Sequence, residues 1–118
     1  MKALICGDRN WTNIELIRSW IARLQDWGYD TIIEGEARGA DSIARNEAEK
    51  AGMMVLKFPA QWDKYHKSAG PIRNKQMLDE GKPNLVVAFH SNIQNSKGTK
   101  NMIEQAKKAG VEVILVEK

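Results

Sequence analysis

Cysteine is almost missing from this chain. Cys6 is the single one in 118 residues, so no internal disulfide can form. A lone thiol inside an apolar run, with no secretory leader ahead of it, points to a reducing, cytoplasmic setting. No apolar run approaches the roughly 20 residues of a membrane span, so no membrane association is expected. The two histidines, His66 and His90, have no second ligand at a metal-like spacing, and neither a metal nor a cofactor is proposed. There are three prolines and no linker, repeat or low-complexity stretch. The GxGxxG and Walker A patterns are absent, which removes the usual dinucleotide and ATP fingerprints. A basic tail and dense Lys/Arg blocks are lacking too. The net charge of +3 therefore tilts towards anionic ligands without implying nucleic acid.

What is present describes one soluble domain over residues 1–118, with 42% hydrophobic and 28% charged residues around a single core. Lys2-Ala3-Leu4-Ile5-Cys6 reads as a strand buried on both faces. Thr12 with Glu15 forms a capping box, and Ile14, Ile17, Trp20, Ile21, Leu24 and Trp27 make one helical stripe closed by Gly28. That spacing puts Trp20 and Trp27 in the core. Thr31-Ile32-Ile33-Glu34 is a second strand, followed by a helix from about 41 to 51, and Met54-Val55-Leu56-Lys57-Phe58 is a third.

Residues 60–70 lack a period and read as the longest loop. Pro71 suits the first position of a third helix, which turns Ile72, Met77 and Leu78 inward and stops at Gly81. Leu85-Val86-Val87-Ala88-Phe89 is the clearest strand. A polar loop then leads to a helix carrying Met102, Ile103 and Ala106, and residues 111–116 are the last strand. The order βαβαβαβαβ predicts an α/β fold: a three-layer, Rossmann-like arrangement with a five-stranded parallel sheet in the order 3-2-1-4-5. The flavodoxin-like order 2-1-3-4-5 is the alternative. In either, ligands bind beyond the carboxyl ends of the strands.

The stretch Gly35-Glu36-Ala37-Arg38-Gly39-Ala40-Asp41 joins a strand to a helix through a glycine-bearing turn, a place where backbone N–H groups and the helix dipole favour an anion. Cations at helix starts usually cost a few tenths to about 1 kcal/mol. Yet the strand-to-helix loops and first turns here carry Arg9, Arg38, Arg73, Lys75, Lys97 and Lys100. Any one of them can simply point into solvent; together they describe a phosphate site. Gly39 and Gly98 either admit a ligand close to the backbone or satisfy turn geometry. Thr99 is a phosphate-binding hydroxyl, an N-cap, or both. Trp11, Trp62 and Tyr65 lie in edge loops, where they can stack on a base or pack over the sheet end.

Four segments in order resemble the SLOG superfamily, most closely its small stand-alone YspA-like branch. They are Gly7-Asp8-Arg9, the 35–41 stretch, Ala69-Gly70-Pro71-Ile72-Arg73-Asn74 and Ser96-Lys97-Gly98-Thr99. The resemblance implies a Rossmann-like fold that binds a nucleotide-derived small molecule with a ribose phosphate. Gly7, Asp8, Arg9, Trp11, Gly35, Glu36, Arg38, Gly39, Ala40, Asp41, Gly70, Arg73, Asn74, Lys97, Gly98 and Thr99 are the expected ligand-binding residues. Asp41 or Glu36 would hold ribose hydroxyls.

The expected role is that of a sensor or a sequestering protein for a nucleotide or ADP-ribose-like signal, phage-encoded and acting against a defence system on family grounds only. The resemblance also implies a homo-oligomer. The alternative is hydrolysis of an N-glycosidic bond, as in the LOG enzymes. Arg73 matches their catalytic arginine, and Glu36 is a second candidate. Met102 stands where their catalytic glutamate would be, and a thioether cannot move a proton. DprA-like binding of single-stranded DNA ranks last.

Overall fold

A computed structural model describes residues 1–117. Five strands, β1 (Lys2–Gly7), β2 (Thr31–Glu34), β3 (Met54–Lys57), β4 (Leu85–Phe89) and β5 (Glu112–Val116), form one parallel sheet in the order β3-β2-β1-β4-β5. The expected order is the one found. Central β1, after Lys2, and β4 are near-continuous apolar runs because both their faces are covered. The edge strands β3 and β5 mix half-buried and exposed positions and contain no fully buried residue.

Two apolar layers flank the sheet. On one side α1 (Ile14–Asp26) and α2 (Ala40–Lys50) bury Ile17, Ile21, Leu24, Ala44 and Ala48 against Ala3, Ile5, Ile32 and Val87. On the other, α4 (Ala69–Gln76), its π-helical continuation Met77–Gly81, and α5 (Gly98–Lys108) bury Met77, Leu78, Met102 and Ala106 against Leu4, Ile33, Val86 and Ala88. Alternate strand residues thus feed opposite layers, as the pleat requires.

Several local expectations are corrected. Asn13, not Thr12, caps α1, its side chain accepting from the Leu16 N–H at 3.1 Å; asparagine is the stronger cap, so the helix starts one residue later. Trp27 is about half exposed and stands edge-on to the half-buried Trp20, at the rim of the stripe rather than in the core. Residues 60–70 are no loop: a four-residue helix, α3 (Trp62–Tyr65), and a 3₁₀ turn (His66–Ser68) run straight into α4. That helix starts at Ala69, so Pro71 takes its third position. It is accommodated there because first-turn N–H groups lack intrahelical partners in any case. Ile72 points outward, leaving Met77 and Leu78 as the anchors. Among the described residues no helix is long and apolar enough to cross a membrane.

Candidate functional site

The loops after β1, β2 and β4 meet over the sheet's carboxyl edge. The Asp8 N–H extends the β1–β4 pairing by donating to the Phe89 carbonyl at 2.8 Å. The Asp8 carbonyl then accepts from the N–H groups of Trp11 and Ala40, both at 3.1 Å, tying the first loop to the start of α2. Gly39 makes this approach possible: its φ is +74°, and a Cβ there would collide with the carbonyls of Asp8 and Arg9.

The 35–41 turn is held from inside by carboxylates. Asp41 is buried, and its Oδ2 accepts from the N–H groups of Gly35 (3.1 Å) and Ala37 (3.3 Å). Burial pushes its carboxyl up to about 6, while the Arg73 guanidinium and those two N–H groups pull the other way. Glu34, at the end of β2, is wholly buried; its Oε1 accepts from the Glu36 N–H at 2.8 Å and its Oε2 has no partner. Burial raises it to about 7, and nearby Asp41 and Glu36 add to the rise while Arg45 opposes it. Glu36 sits above with φ +56°, a left-handed conformation unusual for a side-chain-bearing residue, and reaches Arg45 at 3.9 Å.

The opposite wall comes from α4 and α5. Arg73 crosses the site to donate through Nη1 to the Gly35 carbonyl, and its Nε donates to Asn74 Oδ1 at 3.1 Å. Asn74 is buried and donates to the Gly98 carbonyl at 3.2 Å and to Asn101 Oδ1 at 3.1 Å. One side chain thereby joins Arg73 to the start of α5. Ser96 Oγ accepts from the Thr99 N–H at 3.0 Å, so Ser96 is the capping hydroxyl and Thr99 is left to line the cavity.

Two cavities open between these walls. One, of about 280 Å³, includes Gly7, Asp8, Asp41, Asn74, His90, Ser96, Gly98 and Thr99 in its lining. The second, of about 400 Å³, lies beneath Trp62 and includes Gly35, Glu36 and Pro59. Arg9, Ala37, Arg38 and Arg73 line both. Three guanidinium groups, those of Arg9, Arg38 and Arg73, are thus gathered at one edge of the sheet.

Comparison with known proteins agrees with this fold. Residues 1–65 match the family described as YspA, cpYpsA-related SLOG family (YAcAr). The chain belongs to this SLOG family. No curated protein matches it in sequence. Its fold is similar to that in the X-ray structure of DNA processing protein A (DprA) from Streptococcus pneumoniae, with a TM-score of 0.77 at 17% identity. That likeness covers 97% of this chain and 49% of the other, so the chain spans about half the length of the solved protein.

Within this SLOG domain, most residues expected to bind ligand do surround the two cavities; Trp11, Gly39, Ala40, Gly70 and Lys97 do not. Gly39 instead packs against the Asp8 and Arg9 carbonyls. Trp11 is buried in the core, edge-on to Phe89 at 5.6 Å, with its indole N–H donated to the Asn13 carbonyl at 3.0 Å. Ala40 is core and Gly70 lies under the Trp62 ring. Lys97 is exposed outside both cavities. Met102, the residue standing where the LOG enzymes carry a glutamate, faces the apolar layer beneath α5. Conversely, Cys6, Asn10, His90, Asn95 and Ser96 line the smaller cavity without having been expected there. His90 was signalled by its place just past the carboxyl end of β4, and Ser96 by its capping position three residues before Thr99. His90 Nδ1 accepts from the Asn92 N–H at 3.0 Å, which leaves Nε2 as the protonated nitrogen of the neutral ring. Among the described residues no group of three or more His, Cys, Asp or Glu could hold a metal ion.

Proposed function

We propose that this SLOG domain binds a phosphorylated, nucleotide-derived small molecule at the carboxyl edge of its sheet, as a sensor or sequestering protein. The observation that carries the reading is the position of Arg9, Arg38 and Arg73, which line both cavities beside the first turn of α5. Phosphate is the anion whose geometry suits several arginine forks and a helix start together. The test is calorimetry with AMP, ADP-ribose and inorganic phosphate. Micromolar to millimolar binding is expected, lost in Arg73→Met. No heat and no melting shift at millimolar concentration with any of them would remove the reading.

A second reading is hydrolysis of an N-glycosidic bond. Its support is Asp41, a cavity-lining carboxyl brought near neutrality by burial beside Arg73, a setting suited to moving protons. Glu36 lies at the rim and Met102 in the core, so Asp41 is the better placed of the carboxyl candidates. Chromatography of nucleoside monophosphates and NAD after incubation with the protein decides it: free base supports hydrolysis, and binding without base release removes it. The fold likeness to a DNA processing protein raises single-stranded DNA as a third ligand. Tight oligonucleotide binding that falls steeply with salt would favour it over a small molecule.

A further inference from the structure

Between β3 and α4 the chain crosses the site without being fastened to it. No residue from 59 to 68 is buried, whereas Ala69 and Gly70, which follow, are. Among the described residues, no side chain in this stretch makes a hydrogen bond or an ion pair with the rest of the protein. Its backbone hydrogen bonds are local. The N–H groups of Lys64 and Tyr65 donate to the Gln61 carbonyl, that of His66 to Trp62 and that of Ala69 to His66. The sheet lets go one residue earlier, where the Phe58 N–H donates to the Glu34 carbonyl at 2.9 Å.

Space lies on both sides of the stretch. Under Trp62 is the cavity of about 400 Å³, and on the side of Tyr65 a third, of about 410 Å³, includes Gln61, Lys64 and Ile72 in its lining. Pro59 and Arg73 border both. What the stretch does touch is Arg9, whose guanidinium sits 5.4 Å from the Trp62 ring centroid in a cation–π contact. Segments with few buried contacts and only local hydrogen bonds are the ones that open at low cost. His66 supplies a bend at the far end, with φ +49°, a left-handed conformation unusual for a residue with a side chain.

We infer that residues 59–68 form a lid over Arg73, latched shut by Trp62 on Arg9 and turning about Pro59 and His66. Opening carries α3 away, joins the cavities on its two sides and uncovers the Arg73 guanidinium. Closing returns the indole to Arg9. A guanidinium stacked by its face keeps N–H groups along its edge, so Arg9 can hold an anion and the indole together. An anion that fixes Arg9 therefore strengthens the latch, and the lid shuts behind it, excluding water. That closing step rests on the anion-site reading above; the opening of the lid without ligand does not.

The experiment is limited trypsin digestion of the full chain, Trp62→Ala and Trp62→Phe, with and without inorganic phosphate, the cuts being mapped by mass spectrometry. Calorimetry measures phosphate binding in parallel. Lys64 and Lys67 are exposed within the lid, so the first cut should fall after one of them, at a rate that follows the population of the open form. Trp62→Ala should speed that cut about fivefold at an unchanged melting temperature, and Trp62→Phe should stay within about twofold of wild type. Saturating phosphate should slow it about fivefold in wild type and hardly at all in Trp62→Ala. Hydrogen exchange on the wild type needs no variant: the Tyr65 and His66 amides, though hydrogen-bonded, should exchange at least about tenfold faster than those of β4. First cuts outside 59–68, equal rates in wild type and Trp62→Ala, or equal protection of lid and β4 would overturn the lid. Phosphate that binds yet slows both proteins alike, or neither, would overturn its closing on ligand. If phosphate does not bind while Trp62→Ala still speeds the cut, the anion site falls and the lid stands.

Discussion

The guanidinium of Arg73 occupies the space that a side chain at position 35 would need. It donates to the Gly35 carbonyl across 38 residues of sequence, and a Cβ on Gly35 would lie within 2.7 Å of the Arg73 Cζ. The turn after β2 and the helix that supplies this half-buried cation therefore set each other's position. Gly35→Ala should expel Arg73 from its seat, destabilising the fold by about 1–3 kcal/mol as overpacked sites do. It should also weaken phosphate-ligand binding tenfold or more. Urea unfolding and calorimetry check the two effects separately. A variant that binds as wild type would mean the contact does not position Arg73.

Glu34 and Asp41 make stability fall as pH rises towards neutrality. In the folded protein their carboxyls titrate at about 7 and about 6, and in the unfolded chain at about 4. Between those limits the folded state keeps protons that the unfolded chain has released, so unfolding becomes easier with each step upward in pH. Their contribution is whole below about pH 4 and gone above about pH 7. Glu47, held below its ordinary range by its hydrogen bond from Arg18, acts in the opposite sense and loses its contribution in acid. Glu34→Gln keeps an acceptor for the Glu36 N–H and cannot ionise. It should raise stability at pH 8 by on the order of 1–3 kcal/mol and change it little at pH 5. Urea midpoints at the two pH values measure this; equal effects at both would show that the Glu34 charge is not the cause.

These carboxylates also mark where the sequence stops being readable. The alternation of strands and helices was legible because each strand is a short apolar run and each helix carries one apolar stripe. The glycine turns and arginines pointed to the carboxyl edge of the sheet, and Arg9, Arg38 and Arg73 do gather there around two cavities. Glu34, however, ends an apolar run exactly as a solvent-facing carboxylate would, and only the packing of α2 over it shows that it is buried. Trp11 has no periodic partner to betray its place, since Phe89, on which it packs, is 78 positions away in sequence. Residues 60–70 were misread because two short helical turns, each less than two turns long, leave too few positions to display a period.

Asn74 is the joint between the two helices of the lower wall. Its amide nitrogen serves the Gly98 carbonyl and Asn101 Oδ1, and its oxygen takes the Arg73 Nε–H. Asn74→Ala leaves those buried groups without partners and should cost about 1–3 kcal/mol. Asn74→Asp keeps the acceptor for Arg73 but sets a carboxylate oxygen against the Gly98 carbonyl and should be at least as damaging. Thermal and urea unfolding of both variants check this. A variant as stable as wild type would mean that α4 and α5 hold together through Met77, Met102, Ala106 and the hydrogen bond from the Gln105 amide to the Pro71 carbonyl.

Arg73 and Asp41 should prove coupled, because the cation is the strongest influence holding the Asp41 carboxyl down against the pull of burial. Arg73→Met removes that influence, so the Asp41 carboxyl rises further and its loss of stability moves to higher pH. The substitution should therefore cost more at pH 8, where Asp41 must ionise unaided, than at pH 5, where it is protonated. The expected difference is on the order of 1 kcal/mol. In an Asp41→Asn background that pH dependence should vanish, since an amide has no charge to support. Urea unfolding of the two single variants and the double variant at both pH values forms a closed cycle that isolates the pair. If Arg73→Met costs the same at pH 5 and pH 8, the two charges are independent. The arginine would then owe its place to the Gly35 carbonyl and Asn74 alone.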